Sequence, residues 1–288
     1  MALILTQYFV HTLLIDGQRV GGVQSVTVGK SFDQTSIIAK GLPTSTKNFY
    51  KKPQLTISFT KFMSDGHSSF LSGFDIKNEI YKAPPTTYDI EIGIVGGVGL
   101  KFIDTVLTSV TYNFTNQGDF TEDLSFLGHV SETTSSISAP TVEYGQTKRR
   151  QDFNKAVALP DELPGSTLLS VSTSMNINYG EIPTFGGFYT YKNKYISYPV
   201  DISCVYEVLD REYEQSRVDY TGSAEDKIIE DDLETYYRTI SIGGVPAINL
   251  GEKNFLTNVD RSGGDAGNSD YSIYRYTYKN NDNSFSIS

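Results

Sequence analysis

Along this chain apolar and polar residues alternate in short runs, with little of the three-to-four spacing of amphipathic helices, and period-two alternation predicts half-buried β-strands. Val23 to Gly29 and Leu55 to Phe59 alternate in this way, followed by Tyr88 to Ile94, Val106 to Tyr112 and Phe120 to Leu127. A second set comprises Leu168 to Asn176, Val200 to Tyr206, Thr239 to Ile242, Ile248 to Val259 and Tyr271 to Tyr278. In each set a long connection separates the first two strands: a polar loop from Lys30 to Lys52, and a Gly- and aromatic-rich loop from Tyr179 to Tyr198. One helix per set is expected. Ser223-Ala-Glu-Asp226 carries a helix-start signature before the apolar stripe Ile228, Ile229, Leu233 and Tyr236, and a weaker pattern lies near His67 to Leu71. The apolar start Met1-Ala-Leu-Ile-Leu lacks a basic flank and reads as the lead-in to a strand, not as a signal peptide.

The two sets are one pattern written twice. Ser25-Val26-Thr27 matches Ser170-Val171-Ser172, and Lys47-Asn48 with Tyr50 matches Lys192-Asn193 with Tyr195, both at a spacing of 145. Ile57-Ser58 matches Ile202-Ser203 at the same spacing. Ile90-Glu91-Ile92-Gly93 matches Ile240-Ser241-Ile242-Gly243 at 150, and Leu107-Thr108-Ser109-Val110 matches Leu256-Thr257-Asn258-Val259 at 149. Their shared order carries the inference, because no single match is significant. The expected organisation is a domain over 1–135, a Ser-, Thr- and Pro-rich connector over 136–165 with the basic cluster Lys148-Arg149-Arg150, and a second domain over 166–288. The expected class is mainly β, each domain a barrel or sandwich of about six strands and one short helix. Six strands leave edges that need closure or partners.

Composition agrees with a β-rich chain: 20 Tyr and 16 Phe, no Trp, and abundant Thr, Ser, Val and Ile. The net charge of −10, shared as −3 over residues 1–144 and −7 over 145–288, excludes holding nucleic acid by charge attraction. No apolar run approaches the length of a membrane span, so membrane insertion is not expected. A single cysteine, Cys204, precludes an internal disulfide and reads as a small buried hydrophobe.

A strand pair with a long loop, then a helix, then strands ending in Leu-Thr-x-Val and a final hairpin, over about 145 residues, resembles the bacteriophage tail tube domain, which is related to baseplate hub or tube-initiator proteins and to the type VI secretion tube. The resemblance implies a structural virion protein of the phage tail, assembled in the host cytoplasm, whose domains form six-membered rings around an inner β-barrel. The rings stack into a hollow tube that conducts DNA without specific binding. Two tandem domains imply a homotrimer forming a pseudo-hexameric ring. Implied partners are further copies of the chain and, around them, sheath, baseplate hub and tail terminator proteins. On this resemblance the long loops make the contacts between rings, through Lys47, Asn48, Tyr50, Lys51 and Lys52 in the first half and Phe188, Tyr191, Lys192, Asn193 and Tyr195 in the second.

Candidate chemistry is sparse, and no enzyme, cofactor or metal is expected. Gly93-Ile-Val-Gly-Gly-Val-Gly99 lacks the Gly-Lys-Ser/Thr ending of a phosphate loop and reads as a turn between strands. His11, His67 and His129 have no metal-type spacing. The acidic run Glu225-Asp226 and Glu230 to Glu234 lacks the central glycine of a calcium loop. Two alternatives stay open: a baseplate hub or tube-initiator that stops at one ring, and a carbohydrate-binding adhesin suggested by the Tyr-rich loops.

Overall fold

The structure, a computed structural model, describes residues 11–32, 34–38, 45–50, 53–63, 69–82, 84–94, 97–115, 118–134, 167–181, 194–210, 239–242, 247–262 and 272–287. Of these, 72% lie in strands and 3% in helix, which places the chain in the mainly-β class. The main sheet is antiparallel throughout. Its order is β3 (Val23–Ser31), β6 (Gln54–Phe62), β9 (Thr121–Gly128), β8 (Gly99–Thr115), β11 (Thr167–Glu181), β12 (Lys194–Asp210), β16 (Ser272–Asn280) and β15 (Asn254–Ser262). Strand β8 belongs to two layers. Its C-terminal part pairs with β9 and β11, and its N-terminal part pairs with β7 (Tyr88–Ile94) and β10 (Val130–Thr134). From β7 this second layer continues to β1 (His11–Ile15) and β2 (Gln18–Arg19), joined by the tight turn Asp16-Gly17 with φ of 51° and 76°. A smaller sheet of β13 (Ser241–Ile242), β14 (Ile248–Asn249) and β17 (Ser286–Ile287) stands in the corresponding place of the second half.

The core lies between these layers. From the main sheet Ile57, Phe59, Tyr112, Phe126, Tyr206, Tyr276 and Tyr278 point inward, and Leu13, Ile90, Phe102, Ile76 and Phe285 close over them in one continuous cluster. Each such side chain contributes roughly 1.5–3 kcal/mol on burial.

The backbone ladders repeat the sequence match. Val26 pairs with Phe59, Phe59 with Leu124, and Leu124 with Val110. In the second half Val171 pairs with Tyr206, Tyr206 with Tyr276, and Tyr276 with Val259. A walk that starts on the matched pair Val26 and Val171 therefore ends on Val110 and Val259, which the Leu-Thr-x-Val segments equate independently. Both segments carry the same bulge, between Leu107 and Ser109 and between Leu256 and Asn258. In each the bulged threonine donates to a carbonyl of the neighbouring strand, Thr108 to Ser125 and Thr257 to Thr277, both at 3.0 Å. One sequence match moves: the ladders set Ile57 opposite Val28 and Cys204 opposite Thr173, so Cys204 and not Ile202 is the counterpart of Ile57. A slip of two residues keeps the same face, so alternation alone does not detect it.

Among the described residues the main sheet is open, ending at β3 and β15; a period-two pattern fixes a strand's faces but not whether its last edge finds a partner. Three further expectations are corrected. The stretch from Lys30 to Lys52 contains a hairpin, β4 (Gln34–Ile38) against β5 (Ser45–Tyr50). The strand expected from Ile248 to Val259 breaks at Gly251, whose φ of 70° and approach to Ser284 leave no room for a side chain; a Cβ there would lie 2.7 Å from it. The helix of the first half, α1 (Ile76–Ile80), begins later than the His67-to-Leu71 pattern, because Asp75 caps it by accepting from the Lys77 amide at 2.9 Å. The second expected helix, near Ser223, and the connector over 136–165 lie outside the described residues.

The end of the second half straps the first. Gly73 N–H donates to the Ile287 carbonyl at 2.8 Å, Ile287 N–H to Phe74 at 2.9 Å and Ile76 N–H to Phe285 at 3.0 Å, while the Phe285 ring stacks on Tyr112 at 6.4 Å. At the entry to β3, Gly22 holds φ 73°, and a Cβ there would lie 2.6 Å from the Phe62 carbonyl oxygen. Gly22→Ala is expected to destabilise by about 1–2 kcal/mol from the left-handed backbone alone, and the backbone clash adds to this. A thermal melt with an unchanged midpoint contradicts that assignment.

Candidate functional site

Among the described residues nothing pairs with the outer edge of β3 or of β15. Strand β3 is nine residues long and exposed from Thr27 onward, with Val28 42% and the adjoining Phe32 56% accessible. It carries no proline, and its one charge, Lys30, sits over the Phe32 ring at 5.1 Å. A nine-residue edge strand without proline, open along its outer side, is a template for pairing with another chain. Behind it opens a cleft of about 630 Å³ lined by Leu13, Val20, Val23, Val26, Val28 and Ile92.

The outward face of the main sheet is a second feature. Its positions are small and hydroxylic: Thr56, Ser58 and Thr60 on β6, Thr121 and Ser125 on β9, Ser109, Thr111 and Asn113 on β8, Ser170, Ser172 and Ser174 on β11. They bond sideways across the strands. Thr60 donates to Asp123, Asn113 donates to Asp123 at 2.9 Å, and Ser172 donates to Asn113 at 2.7 Å, a belt that passes from the first half into the second. Ser58 bonds Ser125 and Ser174 bonds Ser203, each at 2.8 Å. Among the described positions of this face, the acids are Asp123, Asp201, Glu207 and Asp260, and the bases are Arg275 and Lys279. Lys279 pairs with Asp201 at 3.5 Å, and Arg275 stands in register between Glu207 and Asp260. Each cation on this wall therefore has a carboxylate beside it.

Of the residues expected at contacts between rings, Lys47, Asn48 and Tyr50 lie on β5, and Tyr195 near the start of β12 is 47% exposed, its ring lying over Gly180. Lys51, Lys52, Phe188, Tyr191, Lys192 and Asn193 fall outside the described residues. The sequence reading missed other exposed apolar groups: Val98 and Leu100 where the glycine cluster turns from β7 into β8, and Tyr81 with Tyr198, whose hydroxyls are hydrogen-bonded. Apolar Val98 beside Gly97 and Gly99 was the available signal, absorbed into the turn assignment.

Buried polar groups serve the fold. Glu122, wholly buried, accepts from Ser69 Oγ at 2.6 Å, Tyr112 OH at 2.7 Å and the Phe70 amide at 3.1 Å, with Lys61 Nζ at 3.6 Å. His129 Nδ1 lies 2.7 Å from the Pro53 carbonyl oxygen. Cys204 is buried, and burial pushes its thiol up to about 11, which keeps it protonated and unreactive at neutral pH. Compared with known proteins, the chain matches no family model and no curated sequence.

Proposed function

We propose that this chain is a structural subunit of a phage tail: two tandem tube domains, three chains to a pseudo-hexameric ring, and rings stacked into a hollow tube through which DNA passes. One observation carries the reading. The strand order β3, β6, β9, β8 recurs as β11, β12, β16, β15, so the open edges β15 and β3 stand in the same relation as β8 and β11, which already pair inside the chain. A unit whose end matches its own beginning adds further copies head to tail, and such a heterologous contact closes into a ring when the rotation permits.

The hydroxyl-rich outward face suits the wall of a DNA conduit. Phosphate binds where cations stand free to replace its counterions; here each described cation has an acidic neighbour, and hydroxyls fixed in a lateral belt offer few free donors. The hairpin of β4 and β5, together with Tyr195, is proposed to contact the next ring, and sheath, hub and terminator proteins are the expected outer partners.

Native mass spectrometry and electron microscopy of the purified protein test the proposal. Rings of three chains that stack with rising concentration are expected. Rings of six full-length chains, or a monomer that persists at high concentration, overturn it. Assembly that stops at a single ring indicates a hub or tube-initiator in place of a tube subunit.

A further inference from the structure

We infer that neighbouring chains join by repeating the internal β8–β11 ladder residue for residue, β15 of one copy running antiparallel to β3 of the next with Val259 opposite Lys30 and Asp260 opposite Gly29. This deepens the ring reading and rests on it. The internal ladder sets Val110 opposite Met175 and Thr111 opposite Ser174. The register walk and the shared bulge make Val259 the counterpart of Val110, and the Ser-Val-Thr match makes Lys30 and Gly29 the counterparts of Met175 and Ser174. Carrying the internal pairs over gives Asn258 with Ser31, Val259 with Lys30, Asp260 with Gly29, Arg261 with Val28 and Ser262 with Thr27. The bulge is no obstacle, because β8 carries the same bulge against β9 and still pairs with β11 on its other side.

The occupant is a second copy because both halves of the contact are already present in one chain. At the internal junction, Tyr112 and Phe114 stand opposite Thr173 and Val171, and their rings pack with Phe285 at 6.4 Å and Phe120 at 4.9 Å. At β3 the corresponding place is the open cleft lined by Val23, Val26 and Val28. In the proposed register β15 sets Arg261 opposite Val28 and brings Val259, a side chain only partly buried in the single chain, diagonally beside Val28 at the edge of that mouth.

Paired cysteines read the register. Registered antiparallel partners have Cα atoms about 4.5–5.5 Å apart, within disulfide range. Gly29 accepts a side chain, since a Cβ there meets only Thr56, at 3.9 Å. Within one chain the two positions lie at opposite ends of eight strands, roughly 33 Å apart at ~4.8 Å per strand, so a bond between them joins two chains. Under mild oxidation Gly29→Cys/Asp260→Cys is expected to run as a covalent closed trimer on a non-reducing gel. Ser25→Cys/Asp260→Cys, displaced by about 13 Å along the strand, is expected to stay monomeric. Cross-linking of the displaced pair instead, or of neither pair while native mass shows rings, overturns the register and leaves the ring reading standing. A ladder that grows past three chains through the Gly29 and Asp260 pair keeps the register and overturns the three-chain ring. Neither a cross-link nor rings at high concentration overturns both.

Discussion

Glu122→Ala is expected to lower stability by about 3–5 kcal/mol, because it leaves the Lys61 ammonium buried without its carboxylate. Lys61 is 3% and Glu122 0% exposed, with Nζ and Oε2 3.6 Å apart. Burial already lowers the Lys61 pKa, and the Glu122 charge and hydrogen bond oppose that shift only in part. The substitution also removes the acceptor shared by Ser69, Phe70 and Tyr112, loosening the turn that leads into α1. The fold does not require the charges: Val208 and Tyr274 occupy the corresponding pair of positions in the second half. The double variant Lys61→Met/Glu122→Leu is therefore expected to recover most of the loss. Urea unfolding at pH 7 decides the matter; a Glu122→Ala loss under about 1 kcal/mol, or a double variant as unstable as the single, would sink this account of the pair.

Stability is expected to fall steeply above pH 9. Burial pushes the Cys204 thiol up to about 11 from its ordinary value of 9.0 and, with the Glu79 and Asp16 charges adding, the Tyr88 hydroxyl up to about 12 from 10.0. Burial likewise holds Tyr112 and Tyr206 well above the ordinary tyrosine value, with Glu122 adding for the first and Cys204 for the second. All four folded pKa values are raised, so above pH 9 the unfolded chain binds fewer protons than the folded one. Their contribution is complete below the unfolded values and is lost as pH climbs through the folded ones. The Cys204 part runs from pH 9 to 11 and the Tyr88 part from pH 10 to 12. Lys61 works the other way: its folded pKa is lowered, so its burial penalty eases as pH approaches 10.5. Urea unfolding at pH 8.5 and 10.5 separates these contributions. Between the two, the wild type is expected to lose about 2 kcal/mol more than Cys204→Val, from the thiol alone. Equal losses in the two proteins contradict a protonated buried thiol.

The sequence by itself determined most strands of the main sheet and which of their residues face inward. In β9, for example, Glu122, Leu124 and Phe126 alternate with Thr121, Asp123 and Ser125, and side-chain direction in a strand has a period of two whatever the partner. It also determined that the halves repeat, through the Leu-Thr-x-Val segments whose bulged threonines make the same bond in both. Of the residues proposed for contacts between rings, it placed Lys47, Asn48 and Tyr50 in a loop that is in fact a strand, because their pairing with Gln34 to Ile37 depends on a backbone ladder. Only the tertiary structure decided the strand order, the true counterpart of Ile57, and that the sheet stays open at β3 and β15. It alone gathered serines and threonines from separate strands into one polar wall, with Arg275 between Glu207 and Asp260. The physical reason is common to all of these. Alternation tells each strand which face to bury, but partner and register are set by backbone hydrogen bonds that nearly every residue type can make, so they are decided by how the faces pack together.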